Sequence, residues 1–165
     1  MFMVPLQWLT AWLIAVSFHE FCHWLCVRLC GGEVNRLTIG LGGANMESTP
    51  LTESKNLLAV LSGPMGGFLL LLVGKWFPKV AICSWVLSIY NLLPLLPLDG
   101  GRALQILLRR ETIFHIVEKI ALLLLTLLAI YAVVLGFGAF PLLIICVLWI
   151  KNRKSPCKEN ACRLQ

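Results

Sequence analysis

The chain has 165 residues, 59% of them hydrophobic and 13% charged, with a formal net charge of +6. An ordinary soluble domain carries about 25% charged residues, so the composition excludes a disordered chain, a disulfide-stapled mini-protein and a typical soluble enzyme. The basic residues sit at the edges of apolar runs, where the positive-inside rule accounts for them without nucleic acid.

Four runs contain no Lys, Arg, Asp or Glu: 1–18, 56–74, 80–98 and 120–150. A helix needs about 20 residues to cross the hydrocarbon core. These runs predict a polytopic α-helical membrane protein in the lipid bilayer. The first helix is expected over about 4–30, ended by Gly31-Gly32. A polar stretch follows, in which Val34, Leu37, Ile39 and Leu41 are spaced for short strands and Gly40, Gly42 and Gly43 punctuate them. It predicts a small β-hairpin or sheet over about 33–47, lying at the membrane surface.

A second span is expected over about 57–74, carrying Ser62-Gly63-Pro64 and Gly66-Gly67, small residues that let helices approach closely. A third, over about 80–98, ends in a proline-broken segment. The run 120–150 is too long for one untilted crossing, and Gly136 to Pro141 make a natural turn inside it. Two spans, about 116–135 and 139–150, are therefore expected, five in all. Residues 1–150 are read as one domain and 151–165 as a basic cytoplasmic tail. The cations of 102–119 and of the tail then share the cytoplasmic side with the strand segment, and Lys75 to Lys79 lie outside. No cationic segment precedes the first run, so no cleaved signal is expected. The seven cysteines are expected to be reduced, acting mostly as small hydrophobes.

The chemistry concentrates in the first helix. His19-Glu20-Phe21-Cys22-His23 is an H-E-x-x-H pattern. Residues four apart on a helix point the same way, so both imidazoles can bind one metal, and Glu20 reaches the metal's water as general base. Ionisable groups in an apolar helix are expensive and by default functional. A catalytic zinc site takes three protein ligands and keeps one position open. His115 reads as a surface histidine, and Glu33, Glu47, Glu53, Glu111 and Glu118 lie outside the charge-free runs. Asp99 is the single aspartate of the chain. It stands where Pro94 and Pro97 break helical bonding and Gly100-Gly101 let the backbone turn. An Asp-Gly-Gly surface turn would read the same; the two-histidine site's need for a carboxylate selects Asp99 as third ligand.

These residues resemble the site-2 proteases, intramembrane zinc metalloproteases. The resemblance rests on His19-Glu20-x-x-His23, Gly42-Gly43 after a short strand, and Ser62-Gly63-Pro64. It rests most on Asn91-Leu92-Leu93-Pro94 followed by Pro97-Leu98-Asp99-Gly100-Gly101-Arg102. It covers about residues 15–105 and looks most like the compact branch that includes the stage IV sporulation protease. It implies one zinc ion on His19, His23 and Asp99 with Glu20 as base. It also implies that Asn91 and the stretch Pro94 to Pro97 shape the substrate site. The chain differs from the usual pattern at Phe21-Cys22 and at Gly67, where an asparagine is common. The expected substrate is a membrane-tethered protein, cut in or near its transmembrane segment. An unwound substrate strand would pair with the sheet edge, where Gly42 and Gly43 leave room for a second backbone. The expected location is a bacterial cell membrane with the site toward the cytoplasm. The alternative is a metal-binding membrane protein without catalysis, such as a transporter. A transporter needs polar groups in several spans, and the second, fourth and fifth offer almost none. The oligomeric state is not legible.

Overall fold

The computed structural model describes residues 3–40, 43–49, 51–108, 110–136 and 145–150. The chain is mostly helical. Helix α1 spans Met3–Leu29, strands β1 and β2 span Val34–Gly40 and Gly43–Ser48, and α2 spans Glu53–Leu69 with a 3-10 turn, Leu70–Val73, at its end. Helices α3, α4 and α5 span Pro78–Asn91, Asp99–Leu107 and Glu111–Val134. Residues 145–150 are helical as well. Residues 137–141 of the expected turn, the start of the expected fifth span to residue 144, Gly42 and the tail 151–165 lie outside the described residues. The described chain divides into two compact units, Met1–Leu92 and Leu93–Gln165.

In the first unit α1, α2 and α3 pack on one another. Ala11, Ala15, Cys83 and Leu87 form the buried centre, with Val16 and Val80 against it. Small residues bring the helices close. A Cβ on Gly66 would stand 2.2 Å from Cys22 Sγ, and one on Gly67 2.0 Å from Ser88 Oγ. Helix α1 stops at Gly31, whose φ of +83° is left-handed and disfavours a side chain. Lys55 Nζ donates to the Cys30 carbonyl at 2.8 Å and so satisfies one of the carbonyls a helix leaves open at its end. Strands β1 and β2 pair antiparallel, with Thr38 opposite Asn45 and Gly40 opposite Gly43.

In the second unit α4 packs on α5. Phe114, Glu118, Leu122 and Ala129 are the buried residues of α5. Thr126 Oγ1 accepts from Trp149 Nε1 at 3.4 Å, which ties the stretch 145–150 to α5.

Of the expected spans, two helical segments among the described residues, Glu53–Val73 and Glu111–Val134, are long and apolar enough to cross a membrane. Helix α3 has 14 residues, about 21 Å at 1.5 Å per residue, because residues 92–98 are not helical. Helix α1 has length enough, with 27 residues, but Gln7, His19, Glu20 and His23 interrupt its apolarity. One expectation changes: the third span, expected over 80–98, is helical only to Asn91, and Asp99 opens a helix of its own, α4. Pro94 and Pro97 supply no N–H for a helix to continue. The chain turns through 92–98, and Leu98, extended at φ −72° and ψ 159°, starts a new helix. Its carboxylate in that first turn suits the positive end of the helix dipole. Helix α5 also starts ahead of the span expected from about 116. Helix α5 begins at Glu111 and carries Glu118 inside it.

Candidate metal centre

Helix α1 brings two imidazoles together by spacing alone. His19 Nε2 and His23 Nε2 stand 3.2 Å apart, with the rings nearly perpendicular at 81°. His23 Nδ1 donates to the Ala59 carbonyl at 2.7 Å. That bond places the ring proton on Nδ1, so Nε2 presents a lone pair toward His19. A backbone carbonyl on the outer nitrogen is the usual way a ligating histidine is oriented. Two nitrogens on one tetrahedral zinc, each about 2.0–2.1 Å from it, lie about 3.3 Å apart. The pair fits that separation, and His19 is almost fully buried, as a dry metal site requires.

Helix α2 supplies the wall. Pro64 lies inside it and gives no N–H to the preceding turn, the turn to which Ala59 belongs. The Ala59 carbonyl accepts from His23 and also from Ser62 Oγ at 2.7 Å. Ser62 Oγ in addition lies 3.1 Å from the Cys22 carbonyl, which ties α2 to α1 beside the histidines. Gly63 faces the rings directly. A Cβ there would stand 2.2 Å from His23 Nε2 and 2.8 Å from His19 Nε2. The absence of a side chain at 63 is therefore what lets the two imidazoles share that space. At the end of α3, Asn91 Nδ2 lies 3.4 Å from His19 Nε2. Glu20 follows His19 on α1 and is half-buried.

Asp99 is half-buried as the first residue of α4, and Pro94 lies in the preceding turn. Gly43 is the first residue of β2. His115 is largely exposed at the start of α5, its side chain at 58%. Two further features escape a reading of the sequence. The Ala59 carbonyl has no sequence signature at all. Glu118 is 3% exposed; its three-residue spacing from His115 becomes a signal only once both are known to share a helix.

Among the described residues the fold and the histidine pair thus define a helical protein with two segments long and apolar enough to cross a membrane and a zinc-type donor pair on one helix. A family model described as peptidase family M50 matches residues 73–132, a range that contains Asn91, Pro94, Asp99 and Glu118. Among solved structures the chain is similar to the site-2 protease from Methanocaldococcus jannaschii, at 20% identity and a TM-score of 0.61 over 88% of this chain and 75% of that one. Among curated proteins nothing matches. The resemblance to the site-2 proteases carried by the motifs is borne out: the chain has their fold and the M50 sequence pattern over 73–132.

Proposed function

We propose that the chain is an intramembrane zinc metalloendopeptidase that cuts a membrane-tethered protein in or near its transmembrane segment. The observation that carries the reading is the convergence of His19 Nε2 and His23 Nε2 at 3.2 Å on a helix that also bears Glu20. His19, His23 and Asp99 each offer one ligand atom of the kind zinc accepts, and Asp99 lies within the M50-matched range. Zinc held by these three residues would supply Lewis acidity for the attacking water and the scissile carbonyl.

The chain's own residues do the rest. Glu20 accepts a proton from the attacking water and returns it to the leaving amine. Asn91, beside His19, offers amide N–H groups to the substrate backbone near the reacting carbonyl. A transmembrane substrate must first unwind, and its freed N–H and C=O groups need partners in a membrane. Strands β1 and β2 offer such partners along an edge, where the sequence's Gly40, Gly42 and Gly43 would admit a second backbone; the family resemblance assigns Pro94 to the substrate site as well. In this reading residues 1–150 work as one protease domain with five spans. The strand pair and the basic tail are cytoplasmic, and the chain is a compact sporulation-type member of the site-2 proteases in a bacterial membrane.

The test is Glu20→Gln in the full chain with a tethered reporter substrate. Zinc content is expected to stay at the parental level while cleavage falls by about 100-fold or more. Persisting cleavage would remove Glu20 from the role of base. Asp99→Asn is expected to lower both zinc content and cleavage, and parental zinc content in that variant would sink its assignment as a ligand.

A further inference from the structure

Glu118 has no part in the chemistry described so far, yet it is 3% exposed inside α5. A buried carboxylate on a membrane-length helix is costly unless its oxygens are satisfied. Both are. Oε1 accepts the backbone N–H of Leu96 at 3.2 Å. Oε2 accepts from His115 Nδ1, one turn earlier on the helix, at 3.4 Å. The His115 side chain is 58% exposed against 4% for Glu118, so the carboxylate reaches from an exposed partner to a half-buried one.

The half-buried partner, Leu96, lies in the turn that leads into Asp99. Pro94 and Pro97 interrupt the backbone ladder on either side of Leu96. Within the turn Leu95 N–H donates to the Leu93 carbonyl and Leu98 N–H to the Leu95 carbonyl, each at 2.8 Å. The Leu96 amide takes Glu118 instead. Helix α4 comes close to the same backbone: a Cβ on Gly101 would stand 2.4 Å from the Leu95 carbonyl carbon and 2.7 Å from Leu96 N. Residues 95–96 thus meet both a carboxylate and a glycine, three to four residues ahead of Asp99.

We propose that Glu118 is a positioning residue for the metal centre: its hydrogen bond to Leu96 fixes the 95–98 turn and thereby the place of the Asp99 carboxylate. The proposal rests on the reading of Asp99 as a ligand. Outer partners that orient a ligand typically govern metal affinity by about 10–100-fold.

The experiment measures zinc affinity of the full chain in detergent for Glu118→Leu, Glu118→Asp and Glu118→Gln, with Asp99→Asn alongside. Deuterium uptake in segment 93–98 of the zinc-free chain is followed in parallel. Leu removes the acceptor, Asp keeps the charge but shortens the reach, and Gln keeps an acceptor oxygen without the charge. Glu118→Leu and Glu118→Asp are expected to weaken zinc binding by about 10-fold or more, lower kcat with KM little changed, and speed exchange in 93–98. Glu118→Gln is expected to stay within about 3-fold of the parent, with parental exchange. Should Glu118→Leu fail to fold, Glu118→Asp decides. Parental zinc affinity in the Leu or Asp variant, while Asp99→Asn loses zinc, overturns this inference alone. A Gln variant as defective as the Leu variant overturns it too, because the hydrogen bond would then not be the cause. Parental zinc affinity in Asp99→Asn overturns the reading of Asp99 and this inference with it.

Discussion

At position 63 the useful chemistry is the lack of a side chain. His19 and His23 converge because α1 places them one turn apart, but convergence also needs an empty volume in front of the rings, and Gly63 on α2 provides it. Gly63→Ala puts a methyl group 2.2 Å from His23 Nε2, far inside van der Waals contact, so the rings or α2 must move. Zinc content is expected to fall by about 10-fold or more with the chain still in the membrane fraction; metal analysis of purified protein beside a cleavage assay checks this. Parental zinc content would show that the rings yield without cost. The histidine pair and Glu20 were legible in the sequence, because an i, i+4 pattern on a helix is local geometry. The roles of Ala59 and Gly63 were not, because both depend on which turn of α2 meets α1.

Among the elements, α5 shows the limit of reading charge-free runs. Its apolar run begins after Lys119, yet the helix starts at Glu111 and draws Glu118 inside. A long helix tolerates a carboxylate where a neighbouring turn satisfies it, here the Leu96 amide. The outward faces of α5 are different. Leu124 is 61% exposed near the middle of the helix, so it faces lipid in the proposed setting. Leu124→Arg places a cation there at a cost of about 2.5–3.5 kcal/mol on translocon scales. Insertion of α5 is expected to drop severalfold in a glycosylation-tagging assay, whereas Leu124→Phe leaves it unchanged. Equal insertion of both would argue against a lipid-facing α5. Helices α3 and α4 teach the converse: two prolines and Gly100-Gly101 marked a break correctly, but the break releases a new helix with Asp99 at its start.

At the scale of the whole molecule, apolar side chains are exposed on every long helix: Leu13 on α1, Met65 on α2, Ile82 on α3 and Leu128 on α5 are each at least half exposed. Water does not tolerate contiguous apolar surface of that extent, and a bilayer does. A metal bound only by the folded state stabilises it by about 2.7 kcal/mol at 100 times its dissociation constant. Stripping zinc with a chelator is therefore expected to abolish cleavage and lower the unfolding temperature in detergent, with zinc restoring both. A chelated chain with parental activity and unfolding temperature would remove the metal from the mechanism.

The sequence by itself determined that the chain carries long apolar helices and that His19 and His23 share a face of one of them. Apolar run length and four-residue spacing on a helix are legible directly, since both are properties of a few neighbouring residues. Tertiary structure decided what depends on distant segments meeting. It chose the Ala59 carbonyl that orients His23, the glycine that leaves room for both rings, and the buried Glu118 that holds the turn before Asp99. Hydrogen bonds and close approach over 22 to 40 residues of separation follow from helix packing, and no local pattern encodes which turn meets which.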